Sequence, residues 1–303
     1  MRRRSPRGDP PRPGARPRLP RLSRVWQSRF RDRGGPGRRA PPRGGGAVTD
    51  PRPSAVARRL AGVKDVLAVG GGKGGIGKSL TAAGLALAGA REGARTGLLD
   101  LDLTAPSAPV ILGARPRFPD EAFGIEPVGA AGIRLMSAGL LSGARPAPLR
   151  GAERTEALLE LLAITNWGEL DTLLLDLPPG LGDEMLDLVR FLPRTRFLVL
   201  TTASPIVRAT VHRQLDLLRR VRTRVAGLVL NMRREGGEEA AARELAEATG
   251  ARWLGALAWD PAVEAAVGNP GALAETRFFA DVRALWRRLR SKGAGPPPPP
   301  APG

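Results

Sequence analysis

Eight consecutive residues concentrate the chemistry of this chain: Gly72-Lys73-Gly74-Gly75-Ile76-Gly77-Lys78-Ser79. They fit G-x-x-x-x-G-K-[ST] at every fixed position, a spacing that curls backbone N–H groups around phosphate oxygens. Glycine is needed there because a Cβ would block either a turn with φ > 0 or the close approach of the backbone to the anion. Lys78 supplies a point charge between the β- and γ-phosphates, and Ser79 offers its hydroxyl to Mg²⁺. The flanks fit as well. Val66–Val69 reads as a buried strand feeding the loop, and Leu80–Arg91 reads as the following helix, its N-terminus aimed at the anion. Residues Gly72 through Leu80 are therefore candidate ligands of a nucleotide's phosphates.

Three further groups fall at the ends of apolar runs. Leu98-Leu99-Asp100-Leu101-Asp102 places two carboxylates at i, i+2 on an emerging loop, within reach of a metal's outer shell and an attacking water. Leu173-Leu174-Leu175-Asp176 ends a strand in a carboxylate that suits Mg²⁺ held through water. Its continuation, Leu177-Pro178-Pro179-Gly180-Leu181-Gly182-Asp183, is rigid and then flexible, as a loop that senses a γ-phosphate must be, with Asp183 equally able to cap a helix. Val229-Leu230-Asn231-Met232 brings a carboxamide to a strand end, where it can donate to and accept from adenine, and Trp259-Asp260-Pro261 is placed to line the same base pocket.

The elements that must position these groups alternate. Expected strands are Val66–Val69, Thr96–Leu99, Ile133–Met136, Thr172–Leu175, Phe197–Leu200, Val225–Leu230 and Trp253–Leu257. Expected helices are Leu80–Arg91, Glu153–Ile164, Asp183–Phe191, Ile206–Arg220, Glu238–Thr249 and Arg277–Arg290. Continuous Val/Leu runs imply strands covered on both faces. The alternation predicts an α/β fold with a doubly wound, mostly parallel sheet whose ligands bind at the C-terminal strand edge.

The formal charge of +19 is unevenly spread. Residues 1–62 hold 18 arginines against three acids, a net of +15, and the rest of the chain carries only +4. The expected division is a disordered Arg/Pro/Gly-rich tail over 1–61, a folded domain over 62–290 and a Pro-rich tail over 291–303. Binding of nucleic acid through the basic tail would be nonspecific and salt-sensitive. Residues 19–30 form a short amphipathic patch. No apolar stretch is long enough to span a bilayer, so the expected location is the cytoplasm and membrane association is not expected. The sequence has no cysteine, which excludes a thiolate-held iron–sulfur cluster within this chain. His212, the single histidine, sits amid helical residues where surface or packing roles prevail.

Lys73 at the start of the glycine run resembles the second lysine of the deviant Walker A ATPases, the group of MinD, ParA, the nitrogenase iron protein and Mrp (the SIMIBI type of P-loop NTPase). The resemblance narrows through Gly62-Val63-Lys64-Asp65 leading into the glycine loop, Asp100-Leu101-Asp102-Leu103-Thr104-Ala105-Pro106-Ser107, Asp176-Leu177-Pro178-Pro179-Gly180-Leu181-Gly182-Asp183, Asn231-Met232 and Asp260-Pro261. Together these resemble the Mrp-type ATPases, also called ApbC or iron–sulfur cluster carriers, from about Gly62 to Arg290. The resemblance implies a slow Mg²⁺-dependent ATPase that dimerises across its nucleotides and passes a [4Fe–4S] cluster to apoproteins. It implies that Lys73 and Lys78 neutralise phosphate charge, that Asp102 orients water, and that Ser79, Asp100 and Asp176 serve the metal. The family's C-x-x-C pair after Asn-Met is missing: Arg233-Arg234-Glu235-Gly236-Gly237 stands there. The expected function is thus an Mrp-type ATPase without its own cluster. It would act as a homodimer or beside a cysteine-bearing paralogue, with an iron–sulfur apoprotein as client. The alternatives are a MinD/ParA-like positioning ATPase, whose amphipathic segment 277–290 lies on a membrane or scaffold, and a nucleotide-binding module that no longer hydrolyses.

Overall fold

The computed structural model describes residues 52–115, 121–122, 124–142, 152–180, 188–234 and 237–291. The expected patch 19–30, the segment 181–187 with Asp183 and the start of its helix, and the Pro-rich tail lie outside the described residues.

Eight strands form one sheet in the order β10-β9-β8-β1-β7-β2-β6-β5. These are β1 (Val66–Gly71), β2 (Thr96–Asp100), β5 (Val128–Ala130), β6 (Ile133–Ser137), β7 (Thr172–Asp176), β8 (Arg196–Thr201), β9 (Arg224–Arg233) and β10 (Trp253–Ala258). All neighbours run parallel except the β5–β6 hairpin, and β3 (Glu121–Ala122) with β4 (Gly124–Ile125) makes a separate antiparallel pair. This is the predicted doubly wound sheet. Every residue of β1, β2 and β7 is buried, as continuous apolar runs between two helix layers require. The sequence places no strand at β3, β4 or β5: these are too short for a periodic signal to rise above a loop.

The helices are α1 (Arg52–Arg59), α2 (Lys78–Arg91), α3 (Ala108–Ile111), α4 (Ala138–Ser142), α5 (Ala152–Ile164), α6 (Pro205–Arg220), α7 (Glu238–Thr249), α8 (Ala262–Ala266), α9 (Pro270–Ala274) and α10 (Arg277–Arg290). Residues 188–191 form a further helical turn. Among the described residues the first element is α1, which lies ahead of Gly62. Helix α1 packs on α5, buries Val56 completely, and donates from Arg59 Nε to Ala163 O at 3.1 Å. The Arg-rich composition around it hides this short apolar face.

Helix α2 carries the glycine loop and is buried along most of its length. Its composition explains how it fits between the sheet and α10. A Cβ on Gly89 would fall 2.8 Å from the Trp286 ring and 2.5 Å from Thr96, and one on Gly84 would meet Val282 at 3.3 Å. Small residues therefore let α10 close on α2, and ring and methyl groups fill the space. Phe278, Val282, Leu285 and Leu289 are all buried in this contact and against β10. The apolar face of 277–290 is thus a packing face, which removes the surface that a membrane-lying reading of this helix requires. Thr276 caps it, accepting from Phe279 N–H, and three arginines occupy its last turn, where the helix dipole favours cations. No described helix is long and apolar enough to cross a membrane.

Trp286→Ala leaves an unfilled volume between α10 and Gly89 and is expected to cost about 3–5 kcal/mol. Chemical denaturation followed by far-UV dichroism measures it, and a loss under 1 kcal/mol contradicts the packing described.

Candidate functional site

The glycine loop sits at the C-terminal end of β1, the central strand, between β7 and β8. Two of its residues adopt left-handed backbone: Gly75 at φ 76° and Gly77 at φ 81°. Gly77 is the N-cap of α2. The first bond of the helix region runs from Thr81 N–H to Gly77 O, which leaves the N–H groups of Lys78, Ser79 and Leu80 outside the helical ladder. Gly72 is set by crowding instead, since a Cβ there would fall 2.7 Å from Thr210 of α6. The result is a concave run of outward backbone donors at a helix N-terminus, a ready anion site.

The charged groups gather beneath this loop. Lys78 is only 7% exposed, and its Nζ donates to Lys73 O at 3.2 Å, closing the loop on itself. Burial pulls its pKa below the usual ammonium value, while Asp176 and Asp102 act to hold the proton on. Lys73 is exposed and makes no ion pair among the described residues.

Asp100 and Asp176 are not loop residues. Each is the last residue of its strand, fully buried, and the two face each other in the β2–β7 register. Their surroundings differ. Asp100 is saturated: Oδ1 accepts from Asp102 N–H at 3.1 Å, and Oδ2 accepts from Ala108 N–H and the Ser137 hydroxyl, both at 3.1 Å. Asp176 has no hydrogen-bond partner of full geometry at either oxygen, although the Ser79 hydroxyl lies close enough to favour its ionised form. Burial first, then the Asp100 charge, push Asp176 up to about 8, with Ser79 and Lys78 opposing. Burial pushes Asp100 up to about 6 against its three donors. Unpaired buried carboxylate oxygens are costly, and a divalent ion is the ligand that relieves them. The donors available, a carboxylate and a hydroxyl, are hard oxygens that suit Mg²⁺. No group of three or more acidic or histidine side chains exists among the described residues, so such an ion would complete its shell with water and phosphate oxygens.

Asp102 is engaged locally. Its Oδ1 accepts from Thr104 N–H at 3.1 Å, the Thr104 hydroxyl at 2.7 Å and Ala105 N–H at 3.0 Å. The loop beyond Asp176 returns under the cradle: Leu177 N–H donates to Val69 O at 3.2 Å, and Pro179 stands 3.8 Å from a Cβ on Gly74.

Asn231 belongs to β9, and Asp260 follows β10. Asn231 Nδ2 donates to Ile76 O at 2.8 Å. Asp260 is held by backbone donors: Oδ1 accepts from Ala262 N–H and Oδ2 from Arg277 N–H, at the first residue of α10. Burial acts to raise its pKa, but these backbone donors outweigh it and hold the carboxyl below the ordinary range. Pro261 lines a cavity of about 990 Å³ with Arg233, Arg234, Trp259 and Arg277. Over it, the Arg234 guanidinium lies 5.1 Å from the centre of the Trp259 ring. Sequence reasoning misses Ser137, Thr210 and Arg277 in this assembly, because each reaches it from an element with no motif of its own.

A family profile described as the NUBPL iron-transfer P-loop NTPase, of the ParA group, matches residues 62–277. The chain belongs to this family. An iron–sulfur cluster carrier protein of Saccharolobus solfataricus is 34% identical over 232 residues, 71% of this chain and 78% of its own length. Proteins of the same description from Pseudomonas fragi and Escherichia coli are each 41% identical over 57% of this chain, which spans 62% and 48% of their lengths. Among solved structures, a nucleotide-binding protein from Archaeoglobus fulgidus in complex with ADP superposes with a TM-score of 0.63 at 29% identity, over 74% of this chain and 93% of that one. MinD from Pyrococcus furiosus shares the fold at a TM-score of 0.58 and 19% identity, over 75% and 98%. The iron-transfer NTPase fold and its phosphate loop are thus present in a chain without a cysteine.

Asp176 holds its proton in the native state up to about pH 8 but loses it near 3.8 when unfolded, so the native state binds more protons across that window. Stability of the ligand-free protein therefore falls as pH rises from 5 to 9, and Asp176→Asn flattens that fall. Thermal melts of both proteins across this range check it; parallel curves contradict the assignment.

Proposed function

We propose that this chain is an Mg²⁺-dependent ATPase of the iron-transfer family that works without a cluster of its own. The observation that supports it best is the buried Asp176 carboxylate, with no hydrogen-bond partner of full geometry, beside Lys78 and Ser79 at the mouth of the glycine loop. The loop N–H groups from Gly72 to Leu80 bind the phosphates, and Lys78 exchanges its bond to Lys73 O for the β- and γ-oxygens. Ser79 and, through water, Asp176 hold Mg²⁺, with Asp100 adding negative charge from the neighbouring strand. Bound Mg²⁺ supplies neutralisation of the charge that develops on the phosphates.

Asp102 orients the attacking water once its Oδ1 is released from Thr104 and Ala105, which makes hydrolysis slow until a partner remodels that loop. The exposed Lys73 is free to reach phosphates across a dimer interface. The base is housed in the cavity beside Asn231 and Pro261, on the Arg234–Trp259 pair; Asp260 shapes that wall by fixing the start of α10.

A [4Fe–4S] cluster needs thiolates that this chain lacks. Its role in cluster transfer is therefore that of the ATP-driven subunit, paired with itself for nucleotide turnover or with a cysteine-bearing paralogue for cargo, and serving an iron–sulfur apoprotein. The cytoplasm is the compartment in which such a pair would work.

Lys78→Ala is expected to abolish phosphate release by the purified protein; unchanged turnover would refute the site. For the cargo reading, the complex isolated from the native host is expected to contain iron and sulfide only when a second, cysteine-bearing subunit co-purifies. Stoichiometric iron on this chain alone overturns it.

A further inference from the structure

We propose that the sheet edge opposite the glycine loop, where β8 and β9 begin, docks an acidic segment of a partner protein. This reaches beyond the ATPase reading and does not depend on nucleotide.

Strands β2, β7, β1, β8 and β9 run parallel, so their first residues share one edge. Basic residues stand there: Lys64 ahead of β1, Arg95 ahead of β2, and Arg196 and Arg224, which open β8 and β9 as register partners. One half of the edge is neutralised from within. Asp171 accepts from Lys64 Nζ at 2.8 Å and from Arg95 N–H at 2.9 Å, and Glu169 accepts from the Arg95 guanidinium at 2.8 Å. Asp65 takes the Arg196 guanidinium with both oxygens, at 2.9 and 2.6 Å. The other half stays charged. Arg194, Arg219 in the last turn of α6, Arg222 in the link to β9, and Arg224 are exposed, and none pairs with an acid among the described residues. Residues 194–224 hold eight arginines and one acid, Asp216, which Arg220 already takes at 2.8 Å.

The backbone accepts strain to place one of these charges. Helices α2, α6 and α7 end in the same turn, with N–H bonds from Ala94 to Gly89 O, from Thr223 to Leu218 O and from Ala251 to Ala246 O. The left-handed residue of that turn is Gly93 at φ 80° after α2 and Gly250 at φ 66° after α7, but Arg222 at φ 55° after α6. Glycine suits this place because a Cβ is disfavoured in left-handed backbone. The helix dipole does favour cations here, but Arg219 and Arg220 already fill the last turn, and the effect fades beyond it.

The edge itself indicates the occupant. A guanidinium takes a carboxylate in a planar, two-bonded fork, the geometry Arg196 makes with Asp65. Neighbouring strands lie about 5 Å apart, so a run of aspartate or glutamate can meet several of these arginines at once. Val221, 38% exposed, sits among them and offers the apolar contact found in the core of a protein interface.

The test uses the full chain with a polyglutamate peptide, and with a DNA duplex and phosphatidylserine vesicles as rival anions. The peptide is expected to slow amide hydrogen exchange at residues 192–196 and 218–226, a readout separate from the arginine-rich residues 1–47. Combining Arg194→Ala, Arg222→Gly and Arg224→Ala is expected to remove that protection and to weaken the peptide by about tenfold, as three exposed charge pairs would. Arg222→Gly alone is expected to weaken the peptide while holding or raising the melting temperature, since glycine suits the left-handed turn. A lower melting temperature with unchanged affinity assigns Arg222 to the fold and overturns its role here. Where the triple variant loses its cooperative melt, Arg222→Gly carries the comparison. No protection in the wild type, or protection that survives the triple variant, overturns the proposal. Stronger protection of these residues by the duplex or the vesicles than by the peptide overturns it in favour of nucleic acid or a membrane surface. Basal ATP turnover is expected to be unchanged in these variants, which separates this proposal from the ATPase reading.

Discussion

Burying a carboxyl group short of hydrogen-bond donors is the constraint around which this molecule is arranged. Asp176 lies under the glycine loop with both oxygens short of donors, one strand away from a second buried carboxylate and close to a buried lysine. Such an arrangement is stable only if the rest of the fold over-determines it. Asp100 shows how the difference between two similar groups is built. Its oxygens are taken up by Asp102, Ala108 and Ser137, so it ties down the loop that carries Asp102. Asp176 is denied those donors.

The scaffold meets that demand through size. The helix that follows the glycine loop is rich in alanine and glycine along its buried sides, so the sheet lies close on one side and the C-terminal helix on the other. Trp286 and Val282 fill the space that the small residues leave. Asp260 accepts from the first N–H of that C-terminal helix, and Trp259, its neighbour in sequence, lines a cavity with Arg277 of the same helix. The packing that stabilises the domain and the wall of its candidate base site therefore meet in consecutive residues.

The long strands and helices were legible because each repeats one pattern over many residues. Val66–Val69 and Thr172–Leu175 read as buried strands and are, the first running on to Gly71 and the second to Asp176. Helix Arg277–Arg290 was legible in its bounds, but its apolar face suited either a membrane or a protein layer, and only the presence of Gly84 and Gly89 opposite it selects the second. The first helix was hidden, since the buried Val56 sits among arginines that dominate any average of composition. The short strands between residues 121 and 130 were hidden for the opposite reason: two or three residues cannot display a period.

The sequence alone determined the phosphate loop, since glycines and a lysine at fixed spacing specify a backbone shape that few other residues permit. It also determined the absence of thiolate ligands, which is a matter of composition and not of shape. Tertiary structure decided the roles of Asp100, Asp102, Asn231 and Asp260. A carboxylate or amide can donate, accept, cap or ligate with equal ease, and which it does depends on the donors that distant segments bring to it. Ser137, Ala108, Thr104, Ile76 and Arg277 make those choices, and no local pattern announces them.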